Sequence, residues 1–427
     1  MKKETSNGKL GILVGGGPAP GINGVIHSAT IEAINNGLEV MGIYDGFKHL
    51  MQGEFVGGPL TINDISRIHL DGGSILRTSR ANPTREAHTL EQCVRVLIAQ
   101  DIKYLLAIGG DDTAYSAYRV ARYAEEYLGV QIRTAHAPKT IDNDLPLPED
   151  IQTFGYETAR ELGTRIVMNM MEDALTGQRW FLVVTMGRKA GHLALGIGKS
   201  SGATVTLIPE EWNKREIRLQ EVVDILVTSV VRRMAEGKPY GLALIAEGVV
   251  EQMSRDDLEG LDNVERDAHG HIRLSEINFS DTLKRTLRRS LHEVGINTRI
   301  VSKDLGYELR CADPIAFDID YTRSLGEAAV GFLLAGGSNA TITIQRGQVA
   351  PIPFSQMMDP ETGRTEVRQV KLDSFTYRSA RKFMIRFEPQ HADDEMLLAR
   401  MAAQTNLTLE EFKARYGYLI GIAERPF

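Results

Sequence analysis

Cysteine is almost absent. Cys93 and Cys311 are the only two in 427 residues, too few for a disulfide framework and without the partner spacing of a metal site. Both are expected to serve packing. Long apolar runs are absent too: nothing approaches the roughly 18 consecutive apolar residues of a membrane span. The opening MKKETSNGKL passes into a strand pattern without the apolar region of a secretory signal, so the expectation is a cytoplasmic protein with no membrane partner. Basic charge is not in excess, with 49 Lys and Arg against 56 Asp and Glu and a net charge of -7. That balance gives no general attraction to nucleic acid. An anionic ligand has to be caught locally. No repeat of solenoid length and no low-complexity tract occurs, although Glu251 to Ile272 is polar and Arg364 to Ser379 is mixed, and both read as surface excursions.

What is present is alternation. The chain is 42% hydrophobic and 25% charged, enough to bury a substantial core in two or three lobes. Lys9 to Val14 reads as a strand, and Ile22, Val25, Ile26, Ala29 and Ala33 follow at helical spacing until Gly37. Leu38 to Tyr44 reads as the next strand. Thr89 with Gln92 predicts a capping box ahead of Leu90, Cys93, Val94, Leu97 and Ile98. Further strands are predicted at Tyr104 to Ile108, Gln131 to Ala137, Trp180 to Met186, Thr204 to Ile208 and Tyr240 to Ala246. Such alternation predicts an α/β fold with mostly parallel sheets covered on both faces. Ligands in such folds sit beyond the carboxyl ends of the strands, which puts the weight on the residues that follow each one.

Read in that way, the chain yields a short set of loops. After the first strand comes GGGPAPG, Gly15 to Gly21, where glycine permits close backbone approach and a helix follows. It lacks the full dinucleotide fingerprint. AIGGDDT ends the next relevant strand, and the adjacent carboxylates of Asp111 and Asp112 are the wrong sign for a simple phosphate loop. PKTIDNDLP places Lys139, Thr140, Asp142 and Asp144 within six residues; turn chemistry alone explains such aspartates in an isolated loop, but these loops coincide. Three further strand ends carry Gly187, Arg188 and Lys189, then Glu247, then Tyr307 and Arg310 on a stretch from Asp304 to Asp313, and Arg179 precedes one of these strands. Carboxylates at one end and guanidinium groups at the other suit phosphoryl transfer, with a carboxylate-held metal and a base for the attacking hydroxyl.

GGDDT, PKTIDND, MGR at Met186 to Arg188, AEG at Ala246 to Gly248, and GYELRCADPIAFDIDYTRSLG from Gly306 resemble, in order and rough spacing, the phosphofructokinase family, closest to its diphosphate-dependent branch. The resemblance runs from Gly11 to about Gly337. It implies two similar Rossmann-like lobes: residues 1–155 with about 310–365 for diphosphate and Mg²⁺, about 156–309 for the sugar phosphate, and a mostly helical extension over about 366–427. By the same resemblance Asp142 is the general base toward the 1-hydroxyl of fructose 6-phosphate, Thr140 contacts the transferring group, Asp111 holds Mg²⁺ and Arg80 stabilises the moving phosphoryl. Gly16, Gly17 and Gly110 meet the donor. Met186, Gly187, Arg188 and Glu247 bind the sugar, Tyr307 and Arg310 grip the 6-phosphate, and Arg179 and Arg299 reach it from a neighbouring subunit. A homo-oligomer with shared sites is therefore implied.

The departures from the ATP-using pattern are informative. That pattern has glycine in place of both Asp112 and Lys139, aspartate in place of Pro18, and usually histidine in place of Tyr307. Asp112 would take the space and the charge of a nucleotide's α-phosphate and so repel ATP, while Lys139 supplies a positive charge to the shorter diphosphate. The expectation is reversible phosphoryl transfer between diphosphate and fructose 6-phosphate. An ATP-dependent enzyme on the same site and a non-catalytic sugar-phosphate-binding subunit are the alternatives; the second conflicts with the presence of Asp111, Asp142 and Arg80.

Overall fold

Strands apolar at every position, not at alternate ones, must be covered on both faces, and Lys9–Val14 is of that kind: from Leu10 onward every residue is buried. The computed structural model describes residues 8–213, 215–259, 279–358 and 365–424. Outside them lie residues 1–7 of the opening stretch, residues 260–272 of the polar stretch and Arg364 at the head of the mixed one. The strands in chain order are β1 (Lys9–Val14), β2 (Glu39–Ile43), β3 (Gly57–Pro59), β4 (Ile102–Gly109), β5 (Arg133–Pro138), β6 (Trp180–Thr185), β7 (Val205–Leu207), β8 (Gly241–Ala246), β9 (Ile300–Leu305), β10 (Ala340–Thr341), β11 (Ile344–Gln345), β12 (Gln348–Val349) and β13 (Ile352–Pro353). The chain divides into two compact units, Met1–Ala159 with Tyr307–Arg368 and Arg160–Gly306 with Gln369–Phe427.

The first unit is built on a seven-stranded sheet of order β13-β10-β5-β4-β1-β2-β3. Neighbours from β10 to β2 are parallel, and only the edges, β13 and β3, run antiparallel. Leu10, Ile12 and Val14 turn to one face and pack with Ile22, Val25 and Ile26 of the helix Ile22–Asn35. Leu13 turns to the other face with Ile43, Leu105 and Ala107. Since β2 lies on one side of β1 and β4 on the other, the strand order reverses here. The carboxyl ends of β1 and β4 thus flank a topological switch point, where open α/β sheets bind ligands.

The second unit holds an all-parallel sheet of order β7-β8-β6-β9, and every residue of β6 and β8 is buried. Residues 369–424 complete this unit's core: Leu398, Met401, Phe412 and Tyr416 share one apolar cluster with Leu226 and Val230. The polar ties are as close. Val370 N donates to Glu210 at 2.9 Å, Arg386 Nη1 to Glu211 at 2.6 Å and the Tyr418 hydroxyl to Asp224 at 2.8 Å.

Two local expectations need correction. The helix expected to start at a Thr89 capping box runs over Ala87–Ala99 with Glu86 at its N-cap and no side-chain cap. Thr89 lies inside it, its hydroxyl donating back to the carbonyls of Glu86 (2.8 Å) and Pro83 (2.9 Å), a backbone bond that competes with capping. The stretch carrying Tyr307 and Arg310 follows the end of β9, as expected, and forms a short helix, Tyr307–Arg310. Cys93 is buried as expected, its thiol pushed up to about 12 by desolvation, whereas Cys311, also expected to serve packing, is exposed.

The glycines at the ends of β1 and β4 are fixed by a neighbour. A Cβ on Gly15 would stand 2.3 Å from the Thr113 hydroxyl, and one on Gly109 would meet that hydroxyl at 2.3 Å and the Thr113 Cβ itself at 2.4 Å. Overpacking of this kind typically costs about 1–3 kcal/mol. Gly15→Ala and Gly109→Ala are each expected to lower stability on that scale in denaturant titrations. Adding Thr113→Ala should relieve the Gly15 variant, for which the nearest side-chain clash is the hydroxyl, and leave the Gly109 variant unrelieved.

Candidate active site

Three loops meet at the carboxyl ends of β1, β4 and β5. The first turns on Gly16, whose φ of +83° favours glycine. Gly15 N donates to Ile108 O at 2.9 Å and Gly16 N to Ser79 O at 2.8 Å, and the Thr78 hydroxyl donates to Gly16 O at 2.7 Å. These bonds draw the segment bearing Arg80 to the end of β1. In the second loop Gly110 is the N-cap of the helix Asp111–Leu128, so Asp111 and Asp112 occupy its first turn, where carboxylates favour the helix dipole. Asp111 is half-buried and Asp112 exposed, and the Asp111 carboxylate accepts from Asp112 N at 2.9 Å.

The third loop supplies the charge that organises the others. Lys139 is only 4% exposed, and its ammonium donates to Gly17 O at 2.5 Å, while its backbone N–H donates to Gly109 O at 2.8 Å. Burial pulls the Lys139 ammonium down to about 8; Arg310 and Arg80 act in the same direction, and Asp142 and Asp144 oppose it. A guanidinium nitrogen of Arg310 lies 3.3 Å from where a Cβ on Gly17 would stand. The fold therefore gathers Lys139, Arg80, Arg310, Asp142 and Asp144 around the first loop. His136 underpins the cluster: Nε2 contacts Gly109 O at 2.7 Å and Nδ1 the Thr341 hydroxyl at 3.0 Å. A carbonyl only accepts, so Nε2 carries the proton and the hydroxyl donates to Nδ1. Burial lowers this histidine to about 4, keeping it neutral.

The Asp142 loop is closed from within. Asp142 N donates to the Thr140 hydroxyl at 3.0 Å, and the Thr153 hydroxyl donates to Thr140 O at 2.8 Å. Asn143 adopts φ +55° and accepts on its side chain from Thr153 N at 3.0 Å. The half-buried Arg368, which sequence reasoning missed, reaches the same loop, donating to Asn143 O and three further carbonyls. Its distance along the chain hides it from any local pattern.

In the second unit the carboxyl ends of β6, β8 and β9 place Met186, Gly187, Arg188, Glu247 and Gly306 together. Met186 N donates to Leu305 O at 3.1 Å, Glu247 N to Thr185 O at 2.9 Å and Gly248 N to Gly187 O at 3.1 Å. Gly187 has φ +130°, and a Cβ on Gly306 would strike Met186 Cγ at 2.5 Å. Arg188 pairs with Glu251, an unforeseen partner one helical turn beyond Glu247. Tyr307 groups with the first unit and is 79% exposed, with the Arg310 guanidinium 5.1 Å from its ring centre.

Arg179 and Arg299 stand apart from these residues. They precede β6 and β9, which pair Trp180 with Ile300, so both arginines lie at the amino edge of a sheet whose carboxyl edge carries Met186 and Glu247. A six-residue strand separates the two edges by about 20 Å. Arg179 holds Asp173 at 3.2 Å, and Arg299 is exposed.

The phosphofructokinase family pattern matches residues 9–333. The pyrophosphate--fructose 6-phosphate 1-phosphotransferase of Thermotoga maritima is 51% identical over 414 residues, covering 96% of this chain and 98% of that protein. Its namesake from Naegleria fowleri is 46% identical over 421 residues, covering 96% and 95%. Among solved structures, the pyrophosphate-dependent phosphofructokinase of Marinobacter aquaeolei aligns with a TM-score of 0.66 at 18% identity, covering 89% of this chain and 92% of that one; at that identity the likeness is one of fold.

The charge state of Lys139 is open to measurement. With its pKa drawn down to about 8, the cation is present below that pH and lost above it. Sulfate keeps its charge across this range, so its affinity, measured by calorimetry, is expected to fall as pH rises through about 8. Lys139→Met should weaken binding at pH 7 and flatten that fall.

Proposed function

The chain belongs to the phosphofructokinase family, and from that premise we propose that it transfers a phosphoryl group from diphosphate to the 1-hydroxyl of fructose 6-phosphate, giving fructose 1,6-bisphosphate and phosphate, reversibly and in the cytosol. The observation that carries the choice of donor is the buried ammonium of Lys139 at the junction of three strand-end loops, one of which presents the exposed Asp112 in the first turn of its helix. A compact polyanion gains from the first; a nucleotide's longer phosphate chain is repelled by the second.

Within this reading Asp142 accepts the proton of the attacking hydroxyl, Thr140 contacts the transferring group, and Lys139 and Arg80 meet the charge that develops on it. Gly16, Gly17 and Gly110 expose backbone to the donor. Met186, Gly187, Arg188 and Glu247 bind the sugar; Arg188 would exchange Glu251 for it. Tyr307 and Arg310 take the 6-phosphate. Asp111 offers one hard oxygen ligand, and no cluster of three His, Cys, Asp or Glu able to cage a metal occurs among the described residues. That donor set fits Mg²⁺, which keeps waters and substrate phosphate oxygens as its remaining ligands. When bound it neutralises charge on the diphosphate.

The opposite-edge placement of Arg179 and Arg299 supports a homo-oligomer. Arginines about 20 Å from their own chain's Met186 and Glu247 are free of that sugar site and suited to serve a sugar phosphate in another chain's.

Two experiments test this reading. Purified enzyme assayed with diphosphate, ATP and no donor should turn over with diphosphate, and preference for ATP would overturn the assignment. Asp112→Gly should lower kcat/KM for diphosphate and raise it for ATP. Like charges about 4 Å apart cost on the order of 4 kcal/mol at an effective dielectric near 20, so the donor ratio can shift by up to about a thousandfold, less whatever Mg²⁺ and water screen.

The shared site is tested by mixing. Asp142→Asn and Arg179→Ala chains, each nearly inactive alone, should regain activity when exchanged, because some sites then carry neither defect. With subunit exchange demonstrated and activity no greater than the sum of the parents, each site is built from one chain.

A further inference from the structure

We propose that Arg368 is the positioning residue of the catalytic loop: its guanidinium grips the segment 143–151 by the backbone and thereby fixes the direction of Asp142. The proposal rests on the reading of Asp142 as the base.

The contact set is unusually complete for one side chain. Nε donates to Asn143 O at 3.2 Å; Nη1 faces Leu147 O at 3.3 Å, Pro148 O at 3.1 Å and Ile151 O at 2.6 Å; Nη2 donates to the side-chain oxygen of Asn143. The Arg368 backbone N–H adds a bond to Asp144 O at 2.9 Å. Every acceptor belongs to the loop that carries Asp142, and the two residues after Asp142 are both held.

Asn143 is the lever. It is buried, with φ +55°, a conformation that asparagine tolerates better than most residues but that still needs support. Arg368 takes both its backbone and its side-chain oxygens, while Thr153 N donates to that same side chain at 3.0 Å. With the carbonyl and side chain of Asn143 held after Asp142, and Asp142 N donating to the Thr140 hydroxyl at 3.0 Å before it, the backbone is restrained on both sides of Asp142, which limits where its side chain points.

The chemistry selects arginine. Four carbonyls and an amide oxygen are reached through Nε, Nη1 and Nη2 together, a set that a guanidinium fork with donors on three nitrogens can span, and bonds to a charged donor are the stronger kind. Lysine offers three donors from one point and cannot span the set. Burial lowers the Arg368 pKa, opposed chiefly by Asp144, so the carbonyl cage replaces water around a cation that stays charged.

The consequence to measure is a loss of turnover without a matching loss of substrate binding, since misplacing a reacting group by about 1 Å can cost about a hundredfold. Arg368→Ala and Arg368→Lys are expected to lower kcat with diphosphate by about ten- to a hundredfold, with KM for both substrates within a few fold. Free guanidinium ion should restore part of the Arg368→Ala loss. The decisive arm is the same substitution in an Asp142→Asn background. If Arg368 acts through Asp142, it costs little further there, whereas an equal fold-loss in both backgrounds overturns the proposal. Should Arg368→Ala not fold, Arg368→Lys in the two backgrounds decides alone. A parent without diphosphate-dependent activity would instead sink the functional reading, and full kcat in the Arg368 variants of an active parent sinks only this inference.

Discussion

The strand-end loops of the first unit depend on one buried cation. An ammonium withdrawn from water is costly unless neighbours replace its hydration, and the surroundings of Lys139 do so only in part. Gly17 O accepts one bond, Asp142 and Asp144 contribute opposite charge, and Arg310 and Arg80 add charge of the same sign. Lys139, Arg310 and Arg80 concentrate positive charge there, in a protein whose net charge is -7. A ligand with several negative charges in a short span offsets that concentration. The acidic residues of the neighbouring loop have a local reason too: Asp111 and Asp112 are in the first turn of a helix, where the dipole tolerates them.

A second constraint comes from strand direction. In a parallel sheet all carboxyl ends share one edge, so residues after β6, β8 and β9 converge, and residues before them cannot join them. Met186, Gly187, Glu247 and Gly306 converge for that reason. Arg179 and Arg299 are kept from them by the same rule, however close in sequence Arg179 is to MGR. Strand polarity thus turns a sequence neighbourhood into a spatial separation.

Much of this was legible because parallel α/β architecture writes itself locally. The range Lys9–Val14 and the strands at Tyr104 and Trp180 follow from short apolar runs, and the strand-end rule then isolates Gly16, Asp111, Lys139, Asp142, Arg188 and Glu247. What local pattern misjudged is equally physical. Thr89 with Gln92 has the spacing of a capping box, yet the helix starts earlier, at Ala87, because propensity does not fix which turn is first. Cys311 follows a motif residue but projects to solvent. Periodicity also cannot show that Phe412 and Tyr416 enter the core formed by Leu226 and Val230, since partners almost two hundred residues apart leave no spacing to read.

The long-range features missed by local reading share a purpose. After β5 the chain must run irregularly from Thr140 to Phe154, and irregular backbone buried in a protein needs acceptors and donors from elsewhere. The returning segment Tyr307–Arg368 provides them from both ends. Asp318, fully buried, accepts from Gly155 N at 2.9 Å, Thr158 N at 2.9 Å and the Thr158 hydroxyl at 2.6 Å, while Arg368 donates to the carbonyls of residues 143–151. One charge satisfies orphan N–H groups, and the opposite charge satisfies orphan carbonyls. A loop restrained at its two ends by charges of opposite sign keeps Asp142 in place without a regular element beneath it. The first unit is therefore discontinuous in sequence for a reason: the part that returns supplies the restraint that the part bearing Asp142 lacks.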